Sequence, residues 1–191
     1  MASDYFAVLR QARRPWIDPE QLKQEYQRLT FDRHPDRIEG AEPGPEFAEI
    51  TEAYRVLSNP KLRLQHLLGV EGIKSEASHI PADIAELFMK TAALVTQIDQ
   101  VLQRREAATT ALSKSMLRPE IVALQQRAGD ALNDLNQLHA SSLEDLQRLD
   151  QRWLDDGSQI GPELDKLAQR FGYLDRWIGQ LREKQFQLAN E

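Results

Sequence analysis

Residues 18–60 read DPEQLKQEYQRLTFDRHPDRIEGAEPGPEFAEITEAYRVLSNP and carry the clearest structural signals of the chain. Asp18-Pro19 is a typical helix start, in which Asp caps the helix and Pro takes its first position. Apolar residues then recur at spacings of three and four on both sides of a Gly- and Pro-rich loop. The stretch therefore predicts two packed helices over about 19–33 and 46–57. Their buried faces are expected to consist of Leu22, Tyr26, Leu29, Phe47, Ile50, Tyr54 and Leu57.

The rest of the chain carries helix signals of the same kind. A short helix is predicted over 4–11 with Ser3 as its cap, and another over 61–68 after Asn59-Pro60. Three longer helices are predicted over 82–112, from Pro119 to 156, and over 162–189. Strand signals are almost absent. The predicted fold class is therefore all-α, with a helical hairpin and short helices followed by a three-helix bundle.

Composition excludes several classes of protein. The 191 residues include no cysteine and carry a formal net charge of −6. Without cysteine, disulfides, thiol nucleophiles and cysteine-ligated zinc or iron–sulfur centres are excluded. Mild acidity argues against a nucleic-acid partner, and no apolar run approaches the roughly 20 residues of a membrane span. The N-terminus does not resemble a signal peptide. We therefore expect a cytoplasmic protein with neither nucleic acid nor membrane as a partner.

Sites for small-molecule chemistry are not predicted. The four histidines, His34, His66, His79 and His139, lack metal-ligand spacing. No phosphate-binding loop, nucleophile elbow or dinucleotide fingerprint is present. The expectation is a protein without metal, cofactor or catalytic residues of its own.

A long stripe of apolar and small residues follows the predicted helix 119–156 and leaves one alternative open. Its members are Ile121, Leu124, Ala128, Ala131, Leu135, Leu138, Ser142, Leu146, Leu149 and Trp153. Such a stripe can pack inside one chain or against a second copy, so a helical structural or oligomerisation protein is the alternative. The other face is predicted to be acidic and solvated, which disfavours anionic lipid. It carries Asp130, Asp134, Glu144, Asp145 and Asp150.

Three segments together resemble the J domain of DnaJ-type co-chaperones. They are Asp4-Tyr5-Phe6-Ala7-Val8-Leu9 and the helical segments 22–29 and 47–60, which flank His34-Pro35-Asp36. The resemblance covers about residues 4–66. It implies that the loop and the basic face of the second helix dock on a DnaK-type chaperone and stimulate its ATP hydrolysis. Pro35 stiffens this loop, and Asp36 can accept a bidentate bond from a partner arginine.

The resemblance also implies which residues beside the loop contact the chaperone, and it shows where this chain departs from the family. The implied basic contacts are Lys23, Arg28, Arg33 and Arg37. Arg33 stands where the family usually has an aromatic residue. Gln24 and Gln27 stand where many relatives carry Lys or Arg. If the motif were only a turn, as Pro and Asp also allow, these contacts would have no function.

The junction after the J-like segment is similar to that of the HscB family, the co-chaperones of iron–sulfur cluster biogenesis. It reads Leu57-x-x-Pro60-x-x-Arg63-x-x-x-Leu67-Leu68-x-x-x-Gly72. The resemblance implies a J domain at 1–69, a linker at 70–80 and a client-binding bundle at 81–191. The implied client is an IscU-type scaffold, and a J-domain co-chaperone with a different client is the alternative.

Short matches in the bundle imply where the client binds. Phe88-Met89 and Tyr173-Leu174-Asp175-Arg176 resemble stretches of the HscB bundle. The implied client patch is Phe88, Met89, Ala92 and Tyr173. Neighbours in sequence point about 100° apart on a helix, so either Phe88 or Met89 is expected to be partly exposed, and core packing is the alternative for both. The family flanks this patch with acidic residues, where this chain has Lys90, Ala93 and Thr96.

Overall fold

The computed structural model describes residues 3–32, 45–74 and 84–190, except for the side chains of Asp32, Pro45 and Ser158. Within these ranges every regular element is helical, which confirms the all-α fold class. The helices are α1 (Tyr5–Val8), α2 (Pro19–Asp32), α3 (Pro45–Ser58), α4 (Pro60–Val70), α5 (Ala85–Ala107), α6 (Ala111–Asp156) and α7 (Gly161–Ala189). A 3₁₀ turn, Gly157–Ile160, precedes α7.

Contacts divide the chain into two units. The first unit consists of Met1–Ser78 and Leu143–Gln169, and the second of His79–Ser142 and Arg170–Glu191. Helices α6 and α7 thus contribute residues to both. The predicted domain limits stay predictions. By its contacts, the segment 143–169 belongs with the N-terminal segment. None of the described helices combines the length and the apolar character that crossing a membrane requires.

In the first unit, helices α1, α2 and α4 all pack against α3. Leu22 and Leu29 of α2 are buried, as are Ile50 and Leu57 of α3. The rings of Tyr26 and Tyr54 stack between the two helices with centroids 4.2 Å apart. The predicted pairing of α2 with α3 is thereby confirmed, with Phe47 only half-buried.

Side-chain caps set the starts of the short helices. Asp18 Oδ1 accepts a hydrogen bond from the Gln21 backbone N–H at 2.9 Å, so the predicted start of α2 is correct. Asn59 caps α4 in the same way through the Leu62 N–H. The prediction for α1 was wrong in two respects. Asp4, not Ser3, is its cap, and α1 spans only Tyr5–Val8 because Leu9 and Arg10 leave the helical conformation.

The second unit has an apolar core between α5, α6 and α7. Its buried members include Leu94, Ile98, Leu124, Ala128, Leu135, Leu174, Trp177 and Leu181. The sequence stripe on α6 is therefore buried against this chain's own helices: Leu124, Ala128 and Leu135 belong to this core. The observation that suggested an oligomerisation protein thus has an intramolecular explanation.

The break between α5 and α6 lies earlier than predicted. Helix α5 ends at Ala107, and Thr110 and Ser113 then cap α6 reciprocally. The Thr110 N–H donates to Ser113 Oγ at 3.2 Å, and the Ser113 N–H donates to Thr110 Oγ1 at 3.1 Å. Pro119 lies inside α6 and does not start it. Proline at a first helical position is common, so the sequence pattern favoured a start at Pro119. The helix begins earlier, after the Thr110 cap.

Two glycines, Gly157 and Gly161, mark the end of α6 and the start of α7. Gly157 has φ +53°, a left-handed conformation that side chains disfavour. Gly161 lies against Ile73, where an added Cβ would come within 2.8 Å of Ile73 Cγ2. This close approach joins the start of α7 to the segment after α4 within the first unit.

Candidate functional site

The motif that carries the sequence prediction is outside the described residues. His34, Pro35 and Asp36 belong to the segment 33–44, together with Arg33 and Arg37. Their assignment as chaperone contacts stays a prediction. The helices that lead into and out of this segment, α2 and α3, are described and form the packed pair reported above.

The exposed face of α2 carries less positive charge than the predicted basic face. Lys23 is exposed, as are Gln24 and Gln27. The Arg28 guanidinium donates to Glu25 through Nε at 2.9 Å and Nη2 at 2.6 Å. Hydrogen bonding to Arg28 is the largest effect on Glu25 and lowers the pKa of this carboxyl group. Arg28 therefore lies beside a carboxylate of its own helix. Lys23 is exposed and forms no ion pair with any described residue.

A buried polar cluster supports the loop between α1 and α2. Asp150 of α6 is fully buried and accepts hydrogen bonds from Arg14 Nε at 3.0 Å and the Trp16 backbone N–H at 2.9 Å. Arg14 Nη2 donates to the other carboxylate oxygen. The sequence placed Asp150 on a solvated acidic face, which was wrong. It is buried because the first unit brings Arg14 and Trp16 against this turn of α6.

Arg63 of α4 is the second buried charge in this cluster. Its Nε donates to the Pro15 carbonyl oxygen at 2.7 Å, and Nη1 donates to the Leu57 carbonyl oxygen at 2.6 Å. Burial lowers the pKa of Arg63 to about 10, and the Asp150 charge acts in the opposite direction. Arg63 thus satisfies a carbonyl in the last turn of α3 and fixes the segment before α2.

His66 of α4 forms a hydrogen bond and ring contacts with α1. Its Nε2 accepts a hydrogen bond from the Tyr5 backbone N–H at 3.0 Å, so the neutral ring carries its proton on Nδ1. The ring stacks on Tyr5 and Phe6. Burial lowers the pKa of His66, partly offset by Asp4. His66 is therefore held in its neutral form as an acceptor.

The second unit contains an apolar groove of about 480 Å³ between α5 and α7. We call it the α5/α7 groove. Trp177 is almost completely buried within it, and the rings of Phe88 and Tyr173 lie 5.5 and 5.8 Å from the Trp177 ring. The residues that line the groove are Phe88, Ala92, Val95, Thr96, Tyr173, Arg176, Trp177 and Gln180.

Three of the four residues of the predicted client patch meet in this groove. Phe88, Ala92 and Tyr173 line it together, with Phe88 and Tyr173 half-buried and Ala92 exposed. Met89 is 66% exposed and is not among the lining residues. The expectation that one of the two neighbours would be exposed therefore holds for Met89. Their role in client binding stays a prediction.

The groove also has features that sequence reasoning missed. Trp177 belongs to the core of the second unit and also forms one wall of the groove. Arg176 is exposed and forms no ion pair with any described residue. Its position one residue before a core tryptophan was the available signal, because neighbours on a helix point in different directions.

Comparisons with known proteins place the N-terminal segment in a family. Residues 4–66 match the DnaJ domain family model. The co-chaperone protein HscB of Proteus mirabilis is 37% identical over 76 residues, which cover 37% of this chain and 44% of that protein. The chaperone protein DnaJ of Trichormus variabilis is 45% identical over 76 residues, 38% of this chain and 19% of that protein. The chain thus matches between about a fifth and a half of the length of these relatives.

Two solved structures share the fold over nearly the whole chain. Chaperone HscB from Vibrio cholerae matches with a TM-score of 0.56 and 16% identity, covering 98% of this chain and 100% of that one. Human co-chaperone protein HscB matches with a TM-score of 0.50 and 16% identity, covering 96% and 82%.

These findings assign a domain to the N-terminal segment and a fold to the chain. The chain carries a DnaJ domain at residues 4–66, which confirms the resemblance drawn from its sequence. In its described residues the chain has the fold of the HscB structures, with an N-terminal J domain and a C-terminal helical bundle.

Proposed function

We propose that this protein is a co-chaperone that docks on a DnaK-type ATPase, stimulates its ATP hydrolysis and delivers a protein client to it. The observation that carries the proposal is the DnaJ domain match over residues 4–66, which includes His34-Pro35-Asp36 between the packed helices α2 and α3. The docking surface is this loop with Lys23, and with Arg28, Arg33 and Arg37 as flanking cations. The chain regulates a reaction that the chaperone catalyses.

The proposed client surface is the α5/α7 groove with the neighbouring Met89. A concave apolar site with half-buried aromatic side chains is typical of protein-binding surfaces. The fold shared with HscB structures supports an IscU-type iron–sulfur scaffold as the client. A J-domain co-chaperone with another client remains the alternative, because residues 90, 93 and 96 lack the acidic side chains that the resemblance leads one to expect.

The docking assignment is tested by the His34→Gln variant. We expect single-turnover ATP hydrolysis by a DnaK-type chaperone from the same organism to be stimulated by the wild type and not by the variant. Circular dichroism should show equal helix content, because the substituted residue is outside the described bounds of α2 and α3. Undiminished stimulation by a folded variant would contradict the assignment.

The client assignment is tested by calorimetric titration with an IscU-type scaffold from the same organism. Binding near the micromolar range, about −8 kcal/mol, is expected for the wild type. A Phe88→Ala/Met89→Ala/Tyr173→Ala variant with native helix content should lose it. If the folded wild type does not bind, the client is a different protein.

A further inference from the structure

The α5/α7 groove combines apolar walls with a single charge. Phe88 and Ala92 of α5 face Tyr173 and Trp177 of α7 across it. Among the described residues that line it, Arg176 is the one that carries a charge. Trp, Tyr and Arg are the residue types that contribute most to protein–protein binding. The groove therefore has the composition of a binding site with an apolar anchor point and a cationic rim.

The positive charge on this rim comes from Arg176. Arg176 forms no ion pair with any described residue. Lys90 of α5 is already paired, since its Nζ lies 2.7 Å from Glu86 Oε1. On α7, Asp175 lies beside His139, with 3.7 Å between Oδ1 and Nε2. A partner that meets Arg176 with a carboxylate gains an ion pair without breaking one.

Helical spacing determines how far apart two ligand groups must lie to meet Tyr173 and Arg176 together. Arg176 is three residues after Tyr173 and four before Gln180, so all three lie on one side of α7. Residues at these spacings have Cβ atoms about 5–6 Å apart. A side chain packed against Tyr173 and Trp177 therefore places the next residues of its own chain beside Arg176 and Gln180.

We propose that the α5/α7 groove accepts a client segment in which a bulky apolar side chain is accompanied, within about one helical turn, by an Asp or Glu that pairs with Arg176. The inference rests on the proposed function, because the occupant is the protein client. It adds the chemistry of that client: an apolar anchor with acidic flanks. The carboxylate also lies within reach of the Gln180 amide, which can donate to it.

The first test is a charge reversal with a matched control. Calorimetric titrations of an IscU-type scaffold are compared for the wild type, Arg176→Glu and Arg182→Glu. Arg182 is an exposed arginine on the same helix but lines a different groove, so it controls for net charge. We expect Arg176→Glu to weaken binding about fivefold or more and Arg182→Glu by less than twofold. Raising the salt concentration should weaken wild-type binding and should strengthen binding of the Arg176→Glu variant, because salt screens the repulsion between its Glu and the client carboxylate.

The second test does not depend on the identity of the client. Two 12-residue peptides share a central Leu-Phe pair and differ only in their flanks, which carry Glu in one and Lys in the other. Chemical-shift titration of the full-length ¹⁵N-labelled protein should show the Glu-flanked peptide shifting the amides of Tyr173, Arg176 and Gln180. It should bind at least about fivefold more tightly than the Lys-flanked peptide, and Arg176→Glu should abolish that preference.

The outcomes separate this inference from the proposed function. Scaffold binding that Arg176→Glu leaves unchanged overturns the inference and leaves client binding standing. If the scaffold does not bind but the Glu-flanked peptide binds in an Arg176-dependent manner, the inference holds and the named client is wrong. The inference is overturned if the two peptides bind equally, if the Lys-flanked peptide binds more tightly, or if neither peptide binds.

Discussion

The exposed face of α2 and the α5/α7 groove are two candidate docking surfaces with opposite character. The α2 face is one side of a single helix and carries Lys23, Gln24 and Gln27. The groove is concave, lies between two helices and is walled by aromatic rings around Trp177. The two surfaces also differ in the interactions that hold them in place. The loop that leads into α2 is held by the buried charges Arg14, Arg63 and Asp150, whereas the groove rests on an apolar core.

This difference determines how each surface responds to substitution. A side chain on the α2 face can change without loss of packing, because the buried face of α2 lies on the other side. The groove shares Trp177 with the core of the second unit, so binding and stability are linked there. The loop before α2 depends on charges that are costly to leave unpaired.

The largest effect is expected for Trp177→Ala. Removing this buried ring deletes core contacts and one wall of the groove, and should lower the free energy of unfolding by about 3–5 kcal/mol. Client binding should be lost with it. Trp153→Ala is the control in the first unit: Trp153 is half-buried and donates one hydrogen bond to the Arg13 carbonyl oxygen. Its cost should be about 1–2 kcal/mol. Urea unfolding followed by circular dichroism gives both values, and equal costs would contradict the role of Trp177 in the core.

Asp150→Ala tests the polar support of the first unit. The substitution leaves Arg14 and the Trp16 N–H without their acceptor and should cost about 2–3 kcal/mol, because Arg14 is about one-third exposed and can turn to solvent. Asp155→Ala is the control on the same helix, since Asp155 is exposed and forms no ion pair with any described residue. Its effect should be within about 0.5 kcal/mol in the same urea experiment. If both variants are equally stable, Asp150 does not support the loop.

His66 makes the first unit sensitive to acid. Burial lowers the pKa of His66 in the folded protein, so the unfolded chain binds more protons at mildly acidic pH. Its contribution to stability is complete above the unfolded pKa of about 6.5 and is lost as the pH falls from there through the lower folded pKa. Protonation removes the acceptor for the Tyr5 N–H. Urea unfolding at pH 7.5 and pH 5.5 should show a loss smaller than that of Asp150→Ala, and His66→Gln should reduce it. A wild-type stability that rises on acidification contradicts this assignment.

The smallest effect is expected for Lys23→Ala. Arg28 lies beside Glu25, so the described part of the α2 face contributes little net charge to docking. Stimulation of a DnaK-type ATPase should fall by less than about twofold and should depend only weakly on salt between 50 and 300 mM. Arg28→Ala in the same assay shows whether the ion pair with Glu25 masks this cation. A tenfold loss for Lys23→Ala would show that the α2 face docks chiefly by charge.

The two surfaces also differ in how far the sequence predicts them. The DnaJ domain is encoded by continuous motifs, so the pairing of α2 with α3 and the cap Asp18 were predicted correctly. The start of α6 was not, because Pro119 was a stronger local signal than the Thr110 and Ser113 side chains that cap the helix. Phe88, Ala92 and Tyr173 were found by resemblance, yet the shape of their groove depends on how α5 and α7 pack.

Buried polar residues are the least predictable part of this chain. Asp150 has the same local pattern as the solvated acidic residues of α6. Its burial follows from Arg14, which lies 136 positions away in sequence. Arg176 likewise owes its position on the groove to the packing of Trp177 into the core. Helical periodicity predicts which side of a helix a residue takes, and tertiary packing decides what that side meets.

Single-turnover ATP hydrolysis by a DnaK-type chaperone, measured with and without an IscU-type scaffold, tests both surfaces in one experiment. The account predicts that the wild type stimulates hydrolysis alone and that the scaffold increases the rate further. His34→Gln should lose both effects. The Phe88→Ala/Met89→Ala/Tyr173→Ala variant should keep the first and lose the second. Stimulation by folded His34→Gln protein equal to that of the wild type, with or without scaffold, would contradict the account.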